Sequence, residues 1–435
     1  MRAGIFLAFA GVLCAQSPPD PTDVLAHARD NLLERRNRLP NYTCVQTVDR
    51  RYMVRSAPPQ LVPSCSQVRE SEKNAGGRET YLTDRLHLDV KVSHGIEIGS
   101  WAGASQFDSR SIFDLVGNGP FGTGALGTFL TDIFTEGSAS FEYDGEKPAG
   151  NAKLFEYSFR VPLSTSHYSV QVGHDWDTLA YDGLLRIDPQ SFDLKYLLVR
   201  VSELPRESET CEAVTSVEYD RVQMGTGNFL LPQQSRLHIL MSDGSESDIA
   251  TTYAGCREYH SEATIHFGDE PVAIKTGQKA DAEASVVLPA GLPVSLVLAA
   301  PIDTDTAAAG DVVIEKVRKA VRVHRSSEVL IPEGATVRGR IIRMRHWLVS
   351  PRRFEIAIRL ETWEAGGLSM PIYAKPATDY ESVNSRLHRR MPIVLPPAGQ
   401  PASVATCAFA SSGDRYVVPR GFASSWITIA APVKP

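Results

Sequence analysis

The chain lacks the signatures of most enzyme and membrane classes. Its 435 residues contain no H-E-x-x-H, no C-x-x-C and no G-x-S-x-G. Zinc-peptidase, dithiol and nucleophile-elbow chemistry therefore have no local marker. No apolar run reaches the roughly 20 residues of a spanning helix, so membrane contact is expected to be peripheral at most. Positive charge is not in excess, with 45 Lys and Arg against 51 Asp and Glu. That balance argues against nucleic acid as a partner. We accordingly assign no catalytic residue, no cofactor and no metal.

What is present starts at the N-terminus. Met1-Arg2 precedes a short apolar run from Ala3 to Ala15, and Gln16-Ser17-Pro18-Pro19 follows. A basic start, a short apolar core and a small residue before a break form a secretory signal, with cleavage expected between Ala15 and Gln16. Acylation of Cys14 is the alternative, which would make an outer-membrane lipoprotein. Either way the chain is expected to be exported, periplasmic or extracellular. In such a compartment disulfides persist. Of the five mature cysteines, nearest-neighbour pairing joins Cys44 to Cys65 and Cys211 to Cys256, leaving Cys407, although sequence alone does not fix connectivity.

The hydrophobic pattern is mainly that of strands. Asp20 followed by Pro21 begins a helix to about residue 36. Alternating stretches then follow at 42–54, 79–92 and 95–101, two short helices at 109–116 and 125–134, and eight further strands from 139 to 267. Phe192, Leu194, Tyr196 and Leu198 are expected to share one strand face. Residues 268–285 are aperiodic and charged, and read as a linker. Turns at Leu288-Pro289-Ala290-Gly291 and Ile331-Pro332-Glu333-Gly334 open a second β region over 286–435, in which 376–402 reads as a mobile loop. The expected fold is mainly β (α+β). It comprises an N-terminal helix and a large curved antiparallel half-barrel sheet with a helical insertion (20–267), then a smaller β-barrel-like domain.

Three constellations invite chemistry. Gly117 to Gly127 contains G-x-G-x-x-G twice. The preceding segment reads as helix rather than strand and Pro120 interrupts the loop, so a helix–helix turn is the better reading than a dinucleotide site. His87 and Asp89 share a strand face, and His174, Asp175 and Asp177 cluster between strands. Both sets read as surface groups. Arg338, Arg340, Arg343, Arg345, Arg352 and Arg353 concentrate positive charge in an otherwise acidic chain. They are candidates for a cationic surface that contacts an anionic partner, either a cell-surface polysaccharide or lipid headgroups, or another envelope protein.

Two resemblances follow from short motifs. Gly183-Leu184-Leu185-Arg186-Ile187-Asp188-Pro189, Tyr219-Asp220-Arg221-Val222 and Phe229-Leu230-Leu231-Pro232 occur in an order that resembles the LolA superfamily of lipoprotein-sorting proteins, over about residues 20–267. Leu288-Pro289-Ala290-Gly291, Ala309-Gly310-Asp311 and 330–340 resemble the periplasmic barrel of TrbI-like conjugation proteins. Residues 39–47 and 121–130 are also similar to stretches of exported acidobacterial proteins. The first resemblance implies a non-catalytic envelope protein holding a lipid or acyl ligand in the half-barrel, with the second region as a docking module. An envelope hydrolase acting on glycan or peptide, or a purely structural scaffold, are the alternatives. Thiol titration of the unfolded, unreduced mature protein is expected to find one thiol, that of Cys407. Finding five would remove the disulfides and weaken the case for export.

Overall fold

In the computed structural model the described residues are 19–55, 64–74, 78–93, 96–104, 107, 112–116, 119–150, 152–172, 175–259, 288–323, 327–377 and 403–431. The expected signal segment with Ala15 and Gln16, the expected linker, most of the 376–402 loop, and His174 lie outside them.

Helix α1 (Pro21–Arg38) comes first, then β1 (Tyr42–Arg55), α2 (Cys65–Asn74), β2 (Arg78–Ser93), β3 (Ile96–Trp101), α3 (Ile112–Val116) and α4 (Thr128–Phe134). The first region continues with β4 (Ser140–Ala149), β5 (Ala152–Val161), β6 (Ser169–Val172), β7 (Asp175–Thr178), β8 (Tyr181–Ile187) and β9 (Leu194–Val201). It closes with β10 (Thr210–Met224), β11 (Gly227–Met241) and β12 (Glu246–Glu258). Ten of these strands form one antiparallel sheet, in the order β4-β5-β8-β9-β10-β11-β12-β1-β2-β3. The remaining pair, β6 and β7, is a separate hairpin.

Period-2 alternation places one residue set inside. Tyr42 and Cys44 on β1, Val90 and Val92 on β2, and Phe155, Tyr157 and Phe159 on β5 share one buried cluster. Helices fill the same concave side. Asp20 caps α1 by accepting the Thr22 N–H at 2.7 Å, which satisfies one of the orphan donors of a helix start. Val24 and Ala28, four apart, are fully buried in that cluster with Ile133 and Phe134 of α4. The Tyr157 hydroxyl donates to the Pro21 carbonyl at 2.7 Å and ties down the beginning of α1.

The expectation for β9 needs correction. Ile187 faces Leu194 but Arg186 faces Tyr196, so Lys195 is an extra residue in the ladder. Such a bulge exchanges the two faces. Leu197, Val199 and Val201 are buried after it, and Tyr196 and Leu198 turn to the outer side. Residues 175–177, read as a loop, form most of β7.

The disulfide pairing is also different. Cys44 joins Cys256, and Cys65 joins Cys211. Nearest neighbours in sequence were the wrong guide because β1 runs antiparallel to β12, which sets Thr43 opposite Arg257. The second bridge fastens α2 to the start of β10. The closed loops span 212 and 146 residues. In chain-entropy terms each such bridge contributes about 5 kcal/mol.

The second region contains β13 (Pro293–Leu298), β14 (Ile302–Asp303), β15 (Val312–Val317), β16 (Val321–Arg322), β17 (Val329–Ile331) and β18 (Thr336–Trp347). Then come β19 (Arg353–Ala365), β20 (Leu368–Pro371), β21 (Ala374–Pro376), β22 (Val404–Ala410), β23 (Val417–Val418) and β24 (Ala423–Thr428). Its main sheet runs β21-β24-β13-β15-β18-β19-β22. Between described residues β22 pairs with β19, and β24 with β13 and β21, so this sheet curls in a barrel-like way without closing.

The two regions share backbone hydrogen bonds. The end of β18 pairs with β2, setting Arg345 opposite Asp84 and Trp347 opposite Leu82. Beside it, His87 donates its N–H to the Ala309 carbonyl, and Ala309 donates to Arg85. Gly310 sits at φ +111, and a Cβ there would lie 2.0 Å from the His87 carbonyl oxygen. The approach therefore requires glycine. Arg340, 4% exposed, donates to the carbonyls of both Ala102 and Gly310 and pairs with Glu361. If a protease site is inserted between residues 259 and 288 and cut, the two fragments are expected to co-elute on size exclusion. Separate elution would show that the junction does not hold without the covalent link.

Candidate functional site

The glycine-rich segment runs inside the half-barrel. Ala125 and Leu126 are buried against its wall. The Gly124 and Leu126 N–H groups donate to the Glu97 carboxylate at 3.1 and 3.3 Å. The Tyr42 hydroxyl donates to the Leu126 carbonyl, and the Tyr219 hydroxyl to the Ala125 carbonyl at 3.1 Å. These backbone groups are already engaged with the protein's own side chains, so they do not form a cradle for phosphate. At the other end, Arg50 contacts the Pro120 carbonyl and forks onto Asp84 at 2.7 and 2.8 Å. Both members of that ion pair are buried. Such a pair is costly to break from one side only.

Glu97 is half-buried by surface area, but protein packs closely around its carboxyl group. That desolvation pushes its pKa up to about 7, and the two backbone donors offset part of the rise. Burial, with Glu97 nearby, also raises Tyr42, Tyr219 and Tyr253 above the usual phenol value. Around Glu97, the apolar wall thus carries three un-ionised phenols.

Beside this segment lies a mostly apolar cavity of about 60 Å³. Leu32, Leu33 and Leu39 bound it from α1 and its exit, Leu126 and Leu130 from the inserted segment, and Phe192 from the turn before β9. Tyr219 and all of Phe229-Leu230-Leu231-Pro232 complete the wall. Asp193, also in the lining, is held by Arg221 through two hydrogen bonds of 2.8 and 2.7 Å. Of the motifs that carried the first resemblance, Tyr219 and Phe229–Pro232 meet at this hollow, while Gly183–Pro189 does not line it.

The other sequence candidates do not converge. His87 bonds Asp311 at 2.7 Å, and Asp89 accepts the Gly103 N–H. Asp175 and Asp177 are exposed on β7. Among the arginines, Arg338 pairs with Glu364, Arg340 with Glu361, Arg343 with Glu355 and Arg352 with Asp414. Arg353 lies over the Trp347 ring at 4.8 Å. Arg345 is half-buried, with a buried Nε that makes no hydrogen bond. Most of this positive charge is spent within the fold. Glu97 was missed by the sequence reading, and its only signal is an acid set between Ile96 and Ile98.

No family model matches the sequence, and no curated protein matches it. Two solved structures are similar in fold. One is a LolA superfamily protein from Nitrosomonas europaea, at 9% identity, covering 54% of this chain and 94% of that one, with a TM-score of 0.25. The other is a domain named for outer membrane lipoprotein sorting, from Vibrio parahaemolyticus, at 10% identity, 55% and 95% coverage and a TM-score of 0.25. The first is named for the superfamily that the N-terminal motifs resemble. At so low a TM-score the likeness adds no weight, and the functional reading rests on the cavity.

Glu97 makes stability depend on pH. Its ordinary value is 4.5 and its folded value about 7. Between these, the folded chain keeps a proton that the unfolded chain releases. The stabilisation is complete below the lower value and is lost as pH rises through the upper one, at up to about 1.4 kcal/mol per pH unit for one proton. Urea unfolding from pH 4.5 to 8 should show this fall, and Glu97→Gln should flatten it in part. Glu315, raised to about 7 by burial, contributes in the same direction. An unchanged slope in Glu97→Gln would show that Glu97 titrates normally.

Proposed function

We propose that this is a non-catalytic, exported envelope protein that takes a hydrophobic or lipid-like group into the N-terminal half-barrel. The observation that carries the reading is the apolar cavity under α1, bounded by helix and loop on one side and by sheet on the other. Ligand sites are concave and mostly apolar, with a few fixed polar groups. Here Asp193 and Tyr219 would supply the polar contacts.

The cavity is small in this state. A hollow of about 150 Å³ is needed to hold benzene, and this one is about 60 Å³. An acyl chain would therefore require α1 and the 119–127 segment to move outward. Side-chain hydrogen bonds hold those pieces, whereas continuous ladders hold the wall. The moving part would thus be the weaker one. The second region would act as the docking module, fixed to the half-barrel through β2 and β18.

Native mass spectrometry of protein purified from its own envelope fraction is expected to show copurified lipid, and the delipidated protein should take up a fluorescent fatty acid. Leu230→Trp, which fills the cavity from its rim, should weaken uptake by about tenfold or more, the loss of a few buried methylenes. A clean apo mass together with no uptake by the unmodified protein would defeat the proposal.

A further inference from the structure

The second region contains an acid that its own fold leaves half-satisfied. On β15 the buried row reads Val313, Glu315, Val317, so a carboxyl occupies a position where an aliphatic side chain would pack. Glu315 is 3% exposed. One oxygen accepts the Ser424 hydroxyl at 2.7 Å, and Ser424 in turn accepts the Trp426 indole N–H at 3.0 Å. The other oxygen, Oε2, is buried with no hydrogen-bond partner. Ionised, it lacks a donor; protonated there, it is a hydroxyl lacking an acceptor. Either form costs free energy relative to water.

Glu315 also lines a mostly apolar cavity of about 20 Å³, together with Leu298, Ile358, Cys407, Phe409, Phe422 and Trp426 among others. One water would fit by volume. A buried water needs two to four polar partners, and Ser424 already gives its proton to Glu315 and accepts from Trp426. The site suits a group with one polar end and an apolar remainder.

The cavity lies inside the curl of the second sheet, walled by β13, β15 and β19 and by β22 and β24, the last two sharing no ladder among described residues. Ala405, Cys407 and Phe409 come from β22, and Ser424 and Trp426 from β24. Among described residues β22 pairs with β19, while β24 pairs with β13 and β21. Parting β22 from β24 therefore breaks no ladder hydrogen bond, and the cavity can widen along the strands.

We propose that this cavity binds a primary alkylamine, with its ammonium on Glu315 and its chain between β22 and β24. The ammonium would supply the missing donor and a countercharge. Burial pushes the empty site's carboxyl up to about 7, so binding would release its proton. This site is distinct from the half-barrel cavity and does not depend on the reading given for it.

Cys407 lines the same cavity and is 8% exposed, so its thiol reports on this site and not on the half-barrel. The full oxidised protein would be treated with N-ethylmaleimide, and labelling of the Cys407 peptide followed by mass spectrometry. The probes are n-octylamine, n-octanol and octanoate. At a concentration about ten times its Kd, octylamine is expected to slow labelling about tenfold. Octanol and octanoate should have little effect, and Glu315→Gln should abolish the protection by octylamine. Equal protection by octanol, equal protection of Glu315→Gln, or no protection of the wild-type protein would each overturn the proposal. The three-probe comparison needs no variant, so it stands even if Glu315→Gln fails to fold.

Discussion

Strand β2 has a full-length neighbour on one side only, and satisfying its other edge shapes the molecule. β1 pairs along its inner edge from Arg78 to Val92. The outer edge would otherwise present a row of unpaired N–H and C=O groups, which cannot be buried unsatisfied. Three segments share it, two of them distant in sequence. β3 pairs with residues 88–93, the turn at Ala309 bonds Arg85 and His87, and β18 pairs with residues 82–84. Once that edge is divided in this way, the second region has one place to sit. The close approach at Gly310, the buried Arg340 and the His87–Asp311 bond all lie along the same line of contact.

The first region is built from parts of unequal strength. Its wall is a continuous antiparallel ladder, stapled where β1 meets β12 and where α2 meets β10. Its contents are two helices and a glycine-rich segment, fixed by apolar contact and a few side-chain hydrogen bonds. Each such bond contributes about 1 kcal/mol net, far less than the ladders contribute together. A half-barrel filled with strands would gain nothing by opening. One filled with short helices can exchange them for another apolar occupant at modest cost, which is the physical content of the functional reading.

Much of this was legible in sequence, and the reasons for the failures are specific. The Asp20 cap, the long strands and the bend near Gly255 could be read because capping, alternation and a left-handed glycine are local properties. Gly255 indeed has φ +58, where the β1–β12 register shifts. The face of β9 was misread because the extra residue at Lys195 is defined only by the partner strand. The disulfides were misread because strand order brings together residues far apart in the chain. The convergence of Phe229–Pro232, Tyr219 and Phe192 on one cavity agrees with the motif order. The tying of the 119–127 segment to Glu97 left no trace in spacing. The ion-pair partners of the arginine cluster were not legible for a related reason, since Glu355, Glu361 and Glu364 lie across a hairpin on β19.

Glu97 and Glu315 show how a buried acid can be accommodated. Each is raised to about 7, with burial as the first cause. Glu97 has one oxygen accepting two backbone N–H groups, so the chain itself supplies what the carboxyl needs, and in return the acid fixes the path of a segment that has little apolar surface. Glu315 receives one hydroxyl, and the Ser424–Trp426 chain behind it is already saturated. An aliphatic side chain at that position would remove the unmet oxygen. An acid placed there weakens the core of the second region, and within the fold it organises nothing beyond Ser424. A donor for this oxygen is what the proposed ammonium would supply, with its chain between β22 and β24, which share no ladder among described residues.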